Sequence, residues 1–389
     1  MTNKLAHRVA QIAPFQVMEI LARAKELDAS GEDVIHLEVG EPDFTAVNSV
    51  ANAGMDAIQS RQTGYTSATG LAELKQAIAT HYLKKYQVAL NPQRIIVTPG
   101  ASGALSLLAS LMVNAGEQVM MPDPCYPCNR HFLIQVGAKA QLITTKVEDA
   151  FAIDLQTLAN HWQGSTTGLW LASPANPSGC VLSKDYIAKA YQKVSALGGH
   201  LMVDEIYQGL VFEGEDFSAL SIADDIFVIN SFSKFFAMTG WRLGWIVVPE
   251  WAIEAATKLA QNFFISAPTV SQYAALQAFS DDAMAQYEHR RCELNERRKA
   301  LLEGLANIGL PAAVPAQGAF YVYVDVSHIT SDAKVWCLAL LEAEKVALTP
   351  GADFGYHESE KYVRFAYTAS VDRLHEAIKR ISRFLASPV

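Results

Sequence analysis

The chemistry this chain could do gathers around one lysine. The run Ser231-Phe-Ser-Lys-Phe-Phe-Ala-Met-Thr-Gly-Trp-Arg-Leu-Gly-Trp245 follows an apolar segment, Asp225–Asn230, whose β-branched and aromatic residues read as a buried strand. Lys234 therefore leaves a strand end among apolar neighbours. Desolvation lowers the pKa of an amine and makes it a nucleophile able to form a Schiff base with a carbonyl. The plain alternative is a lysine whose stem covers apolar surface while its head stays in water. Ser231 and Ser233 offer hydroxyls, Arg242 stands eight positions on, and Gly240 and Gly244 let the backbone turn closely. Together they look like an anion pocket around an amine.

Other segments place polar or aromatic side chains where apolar runs end. Arg94–Thr98 reads as a strand, Pro99–Gly103 as a tight turn and Ala104–Val113 as a helix. Such a turn aims free amides and the positive end of a helix dipole at one point, which suits a phosphate. Gly100, Ala101 and Ser102 lie in it, without the Gly-Lys-Ser/Thr of a Walker loop. Past the strand Gln118–Pro122, Tyr126 stands in a proline-stiffened loop and could stack on a flat ligand. The strand Gly168–Ser173 is broken by Pro174-Ala-Asn-Pro-Ser-Gly179; Asn176 precedes a proline, so its amide can project from the turn or close an Asx-turn on local backbone. The apolar run from His200 ends in Asp204, with Tyr207 three positions later. A carboxylate there needs a cationic or donor partner, unless it caps the next helix.

Three more candidates stand further out. Gly40 sits in the bend Gly40-Glu-Pro-Asp-Phe44 after the strand Val34–Glu38, either beside a ligand or in a plain turn. Tyr65 lies on the loop Gly64–Gly70, where a lone tyrosine commonly only packs. Arg364 is flanked by apolar residues in the strand Lys361–Ala366; its fork matches a carboxylate bidentately, from a substrate or from a structural ion pair.

The elements that must position these residues follow from periodicity. An amphipathic helix covers Val17–Leu27, and helices cover 47–60 and 71–83. Strands and helices alternate from about residue 94 to 248, which predicts an α/β fold with a mostly parallel sheet sandwiched by helices. Loops after parallel strands gather at one sheet edge, so Gly100–Ser102, Tyr126, Asn176, Asp204 and Lys234 should share a rim. Long helical periodicity from Ser271 to Ala306 leads out of that sheet. Gln317–Val324 and Lys361–Ala366 then read as strands of a smaller α+β domain, with a short strand at Val346–Leu348 and a turn over Thr349–Gly355 between them. The expected organisation is an N-terminal arm with part of the small domain over 1–45, a large domain over 46–280 and a small C-terminal domain over 281–389.

Composition bounds the function. With 389 residues, 50% hydrophobic and 18% charged, the chain can bury a large core. A net charge of −9 argues against nucleic acid or an anionic membrane as partner, since both favour a basic face. The start lacks the apolar core of a signal peptide and no run is long enough to span a bilayer, so a cytoplasmic location is expected. Five cysteines without regular spacing make no disulfide framework. Cys125-Tyr-Pro-Cys128 imitates a redox motif, although two reduced thiols near a site are the simpler reading. No metal-ligand spacing is present, and no internal repeat or low-complexity tract is visible.

S-x-S-K followed by G-x-R-x-G, with the remaining segments in order from Gly40 to Arg364, resembles the class I/II aminotransferases. These belong to the aspartate aminotransferase superfamily, fold type I enzymes that use pyridoxal 5′-phosphate (PLP). The resemblance implies a transaminase in which Lys234 carries PLP as a Schiff base and moves protons as general base and acid. Asp204 would keep the pyridine nitrogen protonated, Asn176 and Tyr207 would bond the phenolic oxygen, and Tyr126 would stack on the ring. Gly100, Ala101, Ser102, Ser231, Ser233 and Arg242 would cradle the phosphate, joined by Tyr65 from the other subunit of a homodimer. Gly40, Asn176 and Arg364 would meet the substrate carboxylate.

Relatives specific for aspartate use an arginine just before the segment matching Ser266–Thr269 or a lysine in the phosphate loop. Here no Arg or Lys occurs between Lys258 and Arg290, and the loop reads Gly-Ala-Ser. With Phe263 and Phe264 nearby, a neutral or aromatic amino donor is expected. A β C–S lyase of the same fold needs the same lysine and stays open. A PLP-binding regulator would carry an added basic DNA-binding segment, for which this chain has neither length nor charge.

Overall fold

A computed structural model of the protein describes residues 5–386. Apolar periodicity gives helix α1 at Gln16–Ala29, followed by the short strand β1, Ile35–His36. Helices α2 (Asn48–Gln59) and α3 (Ala72–Tyr86) lead into strand β2 (Ile95–Thr98) and helix α4 (Gly100–Met112). Strand β3 (Gln118–Asp123), helix α5 (Pro127–Gln135), strand β4 (Lys139–Thr144), the single turn α6 (Leu158–His161) and strand β5 (Thr166–Ala172) come next. Helix α7 (Lys184–Ala196), strand β6 (His200–Asp204), strand β7 (Phe227–Ser231) and strand β8 (Gly244–Val247) complete the main sheet.

That sheet has seven strands in the order β2-β8-β7-β6-β5-β3-β4. All neighbours pair in parallel except β8, which runs antiparallel to both β2 and β7. The reversal comes from the lysine segment itself, since residues 232–243 turn back directly from β7 into β8. Side-chain alternation buries both faces. Ile96, Val119, Met121, Trp170, Phe227 and Ile229 point to one side against α4, and Val97, Met120, Leu171, Val203 and Val228 point to the other.

Helix α8 (Ile253–Phe263) packs beside α4. The predicted run from Ser271 to Ala306 is two helices, α9 (Thr269–Leu276) and α10 (Asp281–Asn307). Ser280 divides them because its hydroxyl caps α10 by accepting from the Ala283 N–H at 3.3 Å. Beyond it lie strand β9 (Tyr321–Asp325), helix α11 (Ala333–Glu344), strands β10 (Val346–Ala347), β11 (Thr349–Pro350) and β12 (Tyr362–Ala366), and helix α12 (Val371–Ala386). A small antiparallel sheet orders them β11-β12-β9, and β1 pairs in parallel with β10. Thr349–Pro350 is therefore a strand where a turn was expected. The predicted turn over Pro99–Gly103 is shorter too, because α4 already begins at Gly100. Among the described residues no helix is long and apolar enough to cross a membrane.

Candidate active site

The carboxyl ends of β2, β3, β5, β6 and β7 open onto a cleft of about 510 Å³, closed on its other side by α1 and the small sheet. Its lining includes Gly40, Ala101, Ser102, Tyr126, Asn176, Asp204, Tyr207, Ser233, Lys234, Arg242 and Arg364. The expected rim is therefore one place. Gly100 and Ser231 stand just behind it, and Tyr65 is on the outer surface with 83% of its area exposed.

Lys234 donates from Nζ to the Gly40 carbonyl at 2.6 Å, with the Phe320 and Tyr207 rings 5.6 Å and 5.8 Å from the amine. Burial lowers its pKa to about 8; Glu41 and Asp204 oppose that shift, and Arg364 and Arg242 add to it. An amine that is partly neutral near physiological pH can act as a nucleophile. Asp204, at the end of β6, is buried and accepts from the Ile206 N–H at 3.0 Å. Desolvation lifts its pKa to about 7 despite that bond and the nearby Lys234. Such a carboxylate is short of a cationic partner.

At the other end of the cleft, α4 starts without any side-chain cap, so its first amides have no partner from a neighbouring side chain. Gly100 takes φ +71°, and a Cβ there would lie 2.6 Å from the Arg242 guanidinium; glycine lets that cation rest on the helix start. Gly244 lets the β8 backbone come up to the same helix start, since a Cβ would stand 2.8 Å from the Ala101 nitrogen. Ser231 Oγ accepts from the Ser233 N–H at 3.0 Å and lies 2.9 Å from Ser233 Oγ. Ser231 thus shapes the loop, and Ser233 faces the cleft. Helix amides, a hydroxyl and a guanidinium converge as a phosphate site requires.

Arg364 sits centrally in β12, opposite Tyr323 of β9 and Thr349 of β11. It donates to Asn176 Oδ1 at 2.9 Å, to the Glu38 carbonyl at 2.7 Å and to Thr349 Oγ1 at 3.2 Å. All three acceptors are neutral, and its Nε–H has no hydrogen-bond partner among the described residues. A buried guanidinium so placed is ready for a carboxylate.

Several lining residues carried no sequence signal. Phe15, Val17, Met18 and Leu21 of the α1 region and Leu105 of α4 form an apolar wall. The wall is fixed because Asp353 caps α1, accepting from the Gln16 and Val17 N–H groups at 2.6 and 2.8 Å. Phe263 and Phe264, which led to the expectation of a neutral or aromatic donor, do not line the cleft; Phe263 ends α8, and Phe264 packs against α4, its ring 3.6 Å from where a Cβ on Gly103 would stand. Tyr321 was also missed, although alternation in Tyr-Val-Tyr-Val puts Tyr321 and Tyr323 on one face of β9. Cys125 and Cys128 are free thiols, and burial raises the pKa of both, Cys125 to about 12, opposite to the shift that activates a redox cysteine.

The chain is similar to known proteins in sequence and in fold. A sequence profile described as aminotransferase class I and II matches residues 32–381. The chain is 36% identical over 384 residues to the (5-formylfuran-3-yl)methyl phosphate transaminase of Methanocaldococcus jannaschii, covering 98% of this chain and 99% of that one. It is 36% identical over 389 residues to the valine–pyruvate aminotransferase of Mycobacterium tuberculosis, covering 100% of each. A crystal structure of an aminotransferase from Mycobacterium tuberculosis superposes with a TM-score of 0.96 at 35% identity, over 100% of both chains.

Proposed function

The chain belongs to the class I and II aminotransferases, enzymes of the aspartate aminotransferase fold, and we propose that it moves the amino group of a neutral or aromatic amino acid to a 2-oxo acid using PLP held on Lys234. One observation carries this reading: a depressed lysine amine stands in the same cleft as a buried aspartate without an ion-pair partner among the described residues, an uncapped helix start and an arginine with only neutral acceptors. Each would meet a different part of PLP or of the amino acid. The α4 amides of Ala101 and Ser102, with Ser233 and Arg242, would hold the phosphate. Asp204 would pair with the protonated ring nitrogen, which supplies the cation it lacks. Tyr126 would cover the ring, while Asn176 and Tyr207 would face its phenolic oxygen.

When bound, PLP supplies an electron sink that acidifies the α-proton of the amino acid. Arg364 binds and orients the substrate carboxylate, and the Gly40 bend leaves room beside it. Lys234 Nζ, once displaced from PLP by the incoming amine, would take up the proton from the substrate α-carbon as general base. The α1 wall and the Tyr207 and Phe320 rings give that transfer an apolar surrounding.

Donor class follows from charge. Among the described residues the cations that line the cleft are Lys234, Arg242 and Arg364, and each already has a task. The side chain of the donor therefore meets the apolar wall of Phe15, Val17, Met18, Leu21 and Leu105. The Mycobacterium tuberculosis relative, a valine–pyruvate aminotransferase by name, supports the same class. Tyr65 is exposed, yet its loop is pinned by Thr269 Oγ1 on the Gly64 carbonyl at 2.8 Å. In a homodimer it would complete the phosphate site of the other subunit. Domain limits near residues 45 and 280 would leave the seven-stranded sheet in the large domain and β9, β11 and β12 in the small one.

The test is a half-reaction. Purified enzyme loaded with PLP is mixed with single amino acids, without any 2-oxo acid, and the visible band is followed. Valine, alanine and aromatic amino acids should convert the band at least about 10-fold faster than aspartate, the cost of one unmatched carboxylate. Faster conversion by aspartate overturns the donor assignment, and ammonia release in place of conversion turns the reading to the lyase. A further prediction concerns the phosphate end. Gly244→Ala should weaken PLP binding by about 5-fold or more, since its Cβ meets fixed backbone at α4 and overpacking of that kind costs about 1–3 kcal/mol. Equilibrium titration with PLP reads this directly, and unchanged affinity would separate Gly244 from the site.

A further inference from the structure

Tyr321 is completely buried at the start of β9, and the reaction as outlined above leaves it without a task. Its surroundings give it one. Its hydroxyl lies 2.8 Å from the Tyr207 hydroxyl. The Arg364 guanidinium lies over its ring, 4.2 Å from the centroid. Its oxygen also packs against Gly40 so closely that a Cβ there would stand 2.3 Å away, and the Gly40 carbonyl is the acceptor for Lys234. One phenol thus touches the group that faces the cofactor oxygen, the group that faces the substrate carboxylate and the bend that holds the lysine.

A hydroxyl has one proton, so the order of donation decides what Tyr207 can do. If Tyr207 spends its proton on Tyr321, nothing is left for the cleft. If Tyr321 donates, Tyr207 keeps its proton for an acceptor inside the cleft, and the bond it receives polarises its O–H into a stronger donor. The second order also suits Arg364, because a cation stacked on the Tyr321 ring makes its hydroxyl a better donor.

We propose that Tyr321 is a positioning residue for this site: its hydroxyl donates to Tyr207, directing the Tyr207 proton into the cleft, and its ring sets the plane of the Arg364 guanidinium. The inference rests on the functional reading above. It divides into two parts that two variants separate. Tyr321→Phe removes the hydroxyl and leaves the ring under Arg364. Tyr321→Leu removes both.

The experiment uses the full chain loaded with PLP. It records the pH titration of the visible band, kcat, and the dissociation constant of 2-aminoisobutyrate, an amino acid without an α-proton. Tyr321→Phe weakens the donor that stabilises the deprotonated cofactor oxygen, so the titration should move up by about half a unit with kcat about 10-fold lower. Its affinity for 2-aminoisobutyrate should stay within about 2-fold. Tyr321→Leu should bind 2-aminoisobutyrate about 10-fold more weakly as well, because the platform under Arg364 is gone.

An unmoved or downward titration in Tyr321→Phe overturns the hydroxyl part, and that conservative variant keeps the test valid if the leucine variant folds poorly. Equal 2-aminoisobutyrate affinities in the two variants overturn the ring part. A wild-type enzyme that shows no titrating band would fail at an earlier point, sinking the PLP reading itself before Tyr321 is reached.

Discussion

Replacing Lys234 with alanine is expected to lower amino transfer by on the order of 10⁴-fold while leaving the fold intact, because the same nitrogen would attach the cofactor and carry the α-proton. The amine owes its reactivity to its position. With a pKa brought down to about 8 by burial, it is about half neutral at pH 8. An ordinary lysine at pKa 10.5 would be neutral in about three molecules per thousand at that pH. Attachment of PLP should therefore rise steeply up to pH 8 and flatten above it, when followed by borohydride reduction and the mass added to the chain. The alanine variant should gain no such mass at any pH. Retention of turnover within about 10-fold, or a reduced adduct on another residue, would remove Lys234 from the centre of the mechanism.

The rim was readable in the sequence because each member ends an apolar strand, and parallel strands deliver their ends to one edge. Lys234, Asp204, Asn176, Tyr126 and Ala101 all came from that rule, and all line the cleft. The rule is blind to what approaches from elsewhere in the chain. The α1 wall lies across the cleft through the cap that Asp353 places on Gln16 and Val17, a contact between residues 336 and 337 positions apart. No local periodicity records such a pairing. The same gap explains Phe263 and Phe264, which are close to the matched motif in sequence but outside the lining of the cleft, Phe264 packing against α4. Tyr321 was legible as a strand residue and illegible as a site residue, since its importance lies in three partners from three other segments. The antiparallel β8 was hidden for another reason: its four residues read as one more apolar strand, and only the tight return through the lysine segment reverses it.

Asp204→Asn is expected to act in opposite directions on activity and stability, and that divergence makes it a strong test. In the cofactor-free chain the carboxylate is buried with a single N–H partner, and its pKa rises from 3.8 to about 7. The folded state then holds the proton more tightly than the unfolded one. Folding is penalised progressively as pH rises from about 4 to about 7, and the full penalty stands above that, at most about 4 kcal/mol. Asparagine has nothing to ionise, so the cofactor-free variant should melt at a higher temperature than the wild type at pH 8, with the difference shrinking towards pH 5. Activity should move the other way. A neutral amide cannot hold a protonated ring nitrogen, and losing a charged partner aimed at developing charge costs about 10²–10³-fold in kcat. PLP should also raise the melting temperature of the wild type more than that of the variant, since only the wild type gains an ion pair. A variant that is both less stable at pH 8 and fully active would mean that Asp204 is structural, its carboxylate capping the turn after β6 through Ile206 and nothing more.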